Sequence, residues 1–180
     1  MKDILLAYIA GCLDCDGSFG IRRTTYGIRV MKDCTNPSYY PRILFAQTKP
    51  EVPALLKEHF GGTYQAESKS YNPNWKPVYR WEVGHHKAAI LAKSVLPHLR
   101  IKRKQAEIIL ELDEMNQSPR VKVGTFIITN RWGKEIVMPR RRVSSEVIQA
   151  KEDLYKRITA LNSGHRGIRA EDKEVMKNGE

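Results

Sequence analysis

Apolar positions fill most of a helical surface over residues 4–15, and the small residues Ala7, Ala10 and Gly11 interrupt the bulk. The pattern predicts a helix that expects a close neighbour. β-Branched and aromatic residues dominate "SFGIRRTTYGIRVM" at 18–31, which predicts a strand. A second strand, "PRILFAQT" at 41–48, follows the turn chemistry of "DCTNPSYY". Residues 51–60 then read as a helix stopped by Gly61-Gly62.

The same order repeats. "TYQAESKSY", a turn at "NPNWKP" and "VYRWEVG" predict a second hairpin, with Tyr79, Trp81 and Val83 toward the core. His86–Val95 reads as a helix ending at Pro97, and Lys102–Met115 as another, with Ile108, Leu112 and Met115 at helical spacing. The coarse order is helix, hairpin, helix, hairpin, helix, helix, an α+β arrangement. Residues 118–142 alternate apolar positions around "NRWGK" and end in three arginines, which predicts an added hairpin with a basic exit. That hairpin either reaches phosphates or braces the last helix. The expected domain spans 1–162, and the polar segment 163–180 is expected to fray.

Composition changes the picture mainly through charge. Thirty-one Lys and Arg against 20 Asp and Glu leave a net +11 over 180 residues, the footprint of a chain that meets phosphate backbones. No apolar run approaches the roughly 20 residues that span a bilayer, so no membrane partner is expected. Asp3 follows the only early lysine, and the short apolar run leads straight into "DCDG", which argues against a secretion signal. Three cysteines make no disulfide framework. An intracellular setting is expected, either a prokaryotic cytoplasm or an organelle.

Ile9 to Gly17, "IAGCLDCDG", resembles the LAGLIDADG signature, and its place before an αββαββα order is similar to the LAGLIDADG homing endonucleases. Three further segments carry the resemblance in the right order: "ILFAQTK" at 43–49, "LPHLRIKRKQAEIIL" at 96–110 and "KEDLYKRITALNSGHRG" at 151–167. The resemblance implies a site-specific endonuclease that hydrolyses a phosphodiester on each strand of double-stranded DNA, leaving 3′ overhangs. It implies Asp16 as catalytic carboxylate and metal ligand, with the backbone carbonyl of Cys15 assisting. Gln47 is implied to orient solvent or contact a metal, and Lys102 to position water and stabilise charge near the scissile phosphate. Phosphodiester hydrolysis needs an activated water and neutralised phosphate charge. Mg²⁺ supplies both from one or two carboxylates, with Mn²⁺ or Ca²⁺ substituting in binding.

Asp14 and Asp16 point about 200° apart on a helix, so they cannot share one metal equally. Asp14 is expected to be structural, meeting backbone groups of a partner helix. Only one signature is present, which implies a homodimer on a roughly palindromic target, with Ala10 and Gly11 letting two helices approach. Recognition should come from the sheet, since a β-ribbon fits the major groove and alternate side chains reach one face. Parity with Asp16 selects Arg22, Thr24 and Tyr26 on the first strand, and burial of Ile43 and Phe45 leaves Tyr40, Arg42 and Leu44 outward on the second. Arg80 and Glu82, with Lys69 across the turn, are expected to face outward from the second hairpin. Arg140 and Arg141 are the expected contacts of the added hairpin. A CxxC zinc site would need a second ligand pair, and Cys12 and Cys15 are read instead as small hydrophobes. The alternative function is a non-cleaving binder on the same fold, an intron RNA maturase or a DNA-binding regulator.

Overall fold

The computed structural model describes residues 3–24, 37–67, 76–117, 121–129, 133 and 135–163. Tyr26, Cys34 and Lys69, the end of the predicted first strand and the tail from 164 lie outside them. Helix α1 (Asp3–Asp16) runs directly into strand β1 (Gly17–Thr24), followed by β2 (Ser38–Gln47), α2 (Glu51–Phe60), β3 (Thr63–Glu67) and β4 (Val78–Gly84). Then come α3 (His86–Val95), α4 (Arg103–Gln117), the hairpin β5 (Val121–Thr129) and β6 (Glu135–Arg142), and α5 (Ser145–Ser163). No described helix is long and apolar enough to cross a membrane.

Four strands form an antiparallel sheet in the order β1-β2-β4-β3. Alternation assigns its faces. Phe19, Ile21, Ile43, Phe45, Trp81 and Val83 are buried on one side, where α1 to α5 pack over them. Each such side chain contributes about 1.5–3 kcal/mol on removal from water, and this face holds the three bulkiest fully buried groups, Trp81, Phe19 and Phe45. The apolar stripes of the helices complete the core with Ile9 and Leu13, Leu56, Leu91, Ile109 and Leu112, and Leu154 and Ile158. Tyr79, expected in the core, is only half-buried and stacks on Tyr64, with ring centroids 6.3 Å apart.

Local signals explain the boundaries. Pro53 sits in the first turn of α2, where a missing N–H costs nothing. Gly61, at φ 68°, closes that helix, its amide bonding to the Lys57 carbonyl and its carbonyl accepting from Trp81 Nε1 at 2.7 Å. Helix α5 begins at Ser145, where Ser144 Oγ accepts from the Val147 amide at 3.3 Å and caps its start. The β5–β6 hairpin pairs Thr129 with Glu135, and of the expected turn at 130–134 only Gly133, at φ 76°, is among the described residues. It forms its own two-stranded sheet and does not extend the larger one.

Candidate functional site

The joint between α1 and β1 gathers the chemistry. Asp14 is 8% exposed, and its carboxylate accepts from the amides of Arg100 at 2.8 Å, Ile101 at 3.3 Å and Lys102 at 2.9 Å. Its partners are thus backbone groups of its own chain, just ahead of α4, and not those of a second helix. The expected place of Asp14 in a dimer interface is corrected accordingly: its oxygens are already satisfied and buried. Asp16, two residues on, is exposed at the last helical position.

Gly17 permits the abrupt change from helix to strand. A Cβ there would lie 2.6 Å from the Leu13 carbonyl oxygen, so no other residue fits without moving backbone. Lys102 closes the joint from the other side. Its Nζ donates to the carbonyls of Leu13 at 2.9 Å, Cys15 at 3.3 Å and Gly17 at 2.6 Å, which occupies the three protons of an ammonium group. Burial pushes this ammonium below the ordinary lysine value, and the charges of Asp14, Cys15 and Asp16 oppose the shift. In this arrangement Lys102 holds the backbone on either side of Asp16. Gln47 ends β2, two residues beyond Phe45, which pairs with Gly17; it therefore lies at the end of the sheet where α1 enters.

The donors suit a hard cation. Asp16 offers an exposed carboxylate, and the adjacent Cys15 carbonyl a second oxygen, a set that Mg²⁺ completes with water and substrate phosphate. Among the described residues no group of three His, Cys, Asp or Glu could hold a metal by itself. Cys12 is half-buried against the core, and Cys15 is exposed in the single chain. The alternation of solvent contact along the helix places these two cysteines in different surroundings.

The outward face of the sheet carries Ser18, Gly20, Arg22 and Thr24 on β1, and Tyr40, Arg42 and Leu44 on β2. Arg22 is exposed and stands opposite Tyr40. A shallow concavity is lined by Ser18, Gly20, Arg22, Arg42 and Leu44, with Tyr155 at the β1 edge. Arg80 and Glu82 lie on the same face of β4, both half-buried. Glu82 is engaged by Arg42, Nη2 to Oε2 at 2.7 Å. Arg140 and Arg141 belong to β6, outside this sheet.

Two residues outside the expected site set make long-range contacts here, His85, read only as part of a helix start, and Asn162, which lies in the 151–167 segment that carries the resemblance. His85 follows β4 at φ 58°, ψ −149°, a region costly for a non-glycine residue, and its ring stacks on Tyr40 at 4.3 Å. Asn162, near the end of α5, donates from Nδ2 to the Phe19 carbonyl at 2.8 Å and ties that helix to β1. The long separation in the chain hides both contacts.

One face of α1 is left exposed by the described residues. Ile4, at 83% exposure, and Tyr8, at 53%, lie with Ala7, Gly11 and Cys15 on a stripe of three- and four-residue spacing. Gly11 is on this stripe and a Cβ there would meet nothing within 4 Å. Ala10 is fully buried in the core, so its expected contact with a second copy is corrected.

No family model matches the sequence, and no curated protein matches it. Among solved structures, the archaeal intron-encoded homing endonuclease I-Vdi141I, complexed with DNA, is similar over 98% of this chain and 95% of its own, at 17% identity and a TM-score of 0.64. Homing endonuclease I-CvuI, in complex with a DNA target, is similar over 97% of this chain and 93% of its own, at 18% identity and a TM-score of 0.61. Homing endonuclease I-TnaI gives 91% and 97%, with 14% identity and a TM-score of 0.53. The helix that ends in Asp16 and the four-stranded sheet that continues from it therefore belong to the fold of the LAGLIDADG homing endonucleases.

Proposed function

We propose that this chain is a site-specific DNA endonuclease of the LAGLIDADG type, which acts as a homodimer on a roughly palindromic duplex and cuts each strand once to leave 3′ overhangs. The observation that carries the reading is the exposed carboxylate of Asp16 at the point where an uncovered helix face gives way to an outward, arginine-bearing sheet. Two copies joined along the stripe of α1 bring two such carboxylates to one axis, one for each strand. DNA-bound neighbours of the same fold support the choice of substrate.

Asp16 and the Cys15 carbonyl are the residues that would hold Mg²⁺, which when bound supplies an activated water and offsets charge on the phosphate. Lys102 acts here as a positioning residue, since its ammonium fixes the carbonyls of Leu13, Cys15 and Gly17 around Asp16. Gln47 orients solvent from the end of β2. Arg22, Thr24, Tyr40, Arg42, Arg80 and Glu82 read or grip the major groove, and Tyr26 and Lys69 are assigned to the same task from their sequence positions.

Selection of bound sites from a random duplex library, followed by incubation with Mg²⁺ or Mn²⁺, tests the reading. Wild-type protein is expected to cut the recovered sites on both strands, and Asp16→Asn to bind them without cutting. Recovered sites that the wild type never cuts would leave a DNA-binding regulator in place of an enzyme. Failure to select any duplex would remove the DNA reading altogether.

A further inference from the structure

The helices on either side of the β5–β6 hairpin are tied to one place on the sheet. Asn116, the penultimate residue of α4, donates from Nδ2 to the Tyr39 carbonyl at 3.2 Å, and accepts from Lys151 Nζ of α5 at 2.7 Å. Glu152 of α5 accepts from Arg23 Nε at 3.1 Å and from the Tyr39 hydroxyl. Arg23 and Tyr39 are partners across β1 and β2. The helix that leads into the hairpin and the helix that leads out are therefore both tied to the end of the sheet remote from Asp16. Arg23 lies seven residues beyond Asp16, roughly 20–23 Å along an extended strand.

The hairpin is also where charge concentrates. Residues 118–142 contain seven of the 31 Lys and Arg and one of the 20 Asp and Glu. The register gathers four of the cations at its root, pairing Val121 with Arg142, Lys122 with Arg141, and Gly124 with Arg140. Because the hairpin does not join the four-stranded sheet, it adds no strand to the groove-reading face.

We propose that the root of the hairpin is an accessory phosphate-gripping element, which holds the DNA backbone outside the stretch read by the sheet and on the flank away from the cut. The inference rests on the endonuclease reading and names a further part of the same substrate. It accounts for an excess of charge at a position from which the catalytic carboxylate cannot be reached.

The test uses the full-length protein, a selected site, and duplexes that end at the sheet contacts or extend about one helical turn beyond them. The wild type is expected to bind the extended duplex more tightly and to protect its flank from hydroxyl radicals. A variant with Lys122→Gln, Arg140→Gln, Arg141→Gln and Arg142→Gln should lose the preference for length, and the slope of log K against log salt should fall by about 0.9 for each phosphate contact removed. Its cut positions and melting midpoint should stay as in the wild type. Specific binding by the wild type with protection that stops at the sheet would overturn the hairpin proposal alone. A lower melting midpoint in the variant, with length preference and salt slope retained, would also overturn it in favour of a brace. A wild type with no specific site at all would refute the underlying endonuclease reading instead.

Discussion

Asp14 and Lys102 hold each other's backbone: the Asp14 carboxylate accepts the Lys102 amide at 2.9 Å, while the Lys102 ammonium reaches back to the carbonyls of Leu13 and Cys15 on either side of Asp14. The exchange makes the loop before α4 and the end of α1 one unit. It also separates two aspartates of the same motif by function. Asp14→Asn should cost about 2–3 kcal/mol in chemical denaturation, because it weakens three charge-assisted hydrogen bonds and puts an amide donor against amide donors. Asp16→Asn, on the exposed side, should change stability by no more than about 0.5 kcal/mol. Equal losses for the two variants would contradict the division.

Lys102 gives this unit a pH dependence. Burial lowers its value in the folded chain below 10.5. Between the lowered value and 10.5 the unfolded chain keeps a proton that the folded chain has released, so stability contributed by this residue rises with pH in that window. Unfolding free energies of wild type and Lys102→Met, compared across a series of alkaline buffers, should therefore diverge in favour of the wild type as pH increases. A flat or inverted difference would show that burial does not dominate at this lysine.

Two glycines of α1 and its exit should respond oppositely to substitution. Gly17→Ala places a Cβ against the Leu13 backbone and should destabilise the fold by about 1–3 kcal/mol. Gly11→Leu meets open space in a single chain, and the gain in helix propensity is worth up to about 1 kcal/mol. If the proposed homodimer forms along this stripe, sedimentation should nonetheless find the Gly11→Leu protein monomeric at concentrations where the wild type associates, and the proposed cleavage should be lost. A dimeric and active Gly11→Leu protein would move the interface off this stripe.

Glu82 restrains Arg42 on the outward face of the sheet, which on the proposed reading meets DNA, and both side chains are about one-third exposed. A pair of that kind contributes at most about 1 kcal/mol to stability. Glu82→Gln should leave the melting midpoint nearly unchanged, raise affinity for unrelated duplexes and steepen its salt dependence. Unchanged non-specific binding would mean that Arg42 is not available to phosphate even when released.

The elements around the site were legible wherever a local residue marks an end. Helix α2 stops at Gly61, β4 closes before His85, and α3 ends ahead of Pro97, all at the expected boundaries. The interface and the lysine were harder for a different reason. Ala10 and Gly11 are adjacent small residues about 100° apart on the helix, and smallness alone cannot say which faces out. Packing puts Ala10 in the core and Gly11 on the surface. For Lys102, residue type indicates a cation near a reaction centre, but its three acceptors are carbonyls created by the turn at Gly17, 85 residues away in the chain. The His85–Tyr40 stack is similarly invisible, because it needs the pairing of β2 with β4 to exist first.

Asp16 and Gly17 are consecutive, with no linker between helix and strand. On the proposed reading, β1 is then a ruler whose zero mark is the cutting position. Its rise of about 3.3 Å per residue is close to the roughly 3.4 Å of helix axis that each base pair of a DNA duplex occupies. Ser18, Gly20, Arg22 and Thr24 accordingly address steps at increasing and fixed distances from the break. A single residue inserted into β1 would change both the distance and the face of every later position, so the spacing of the target site is inherited from the length of the strand and cannot be tuned by side chains alone.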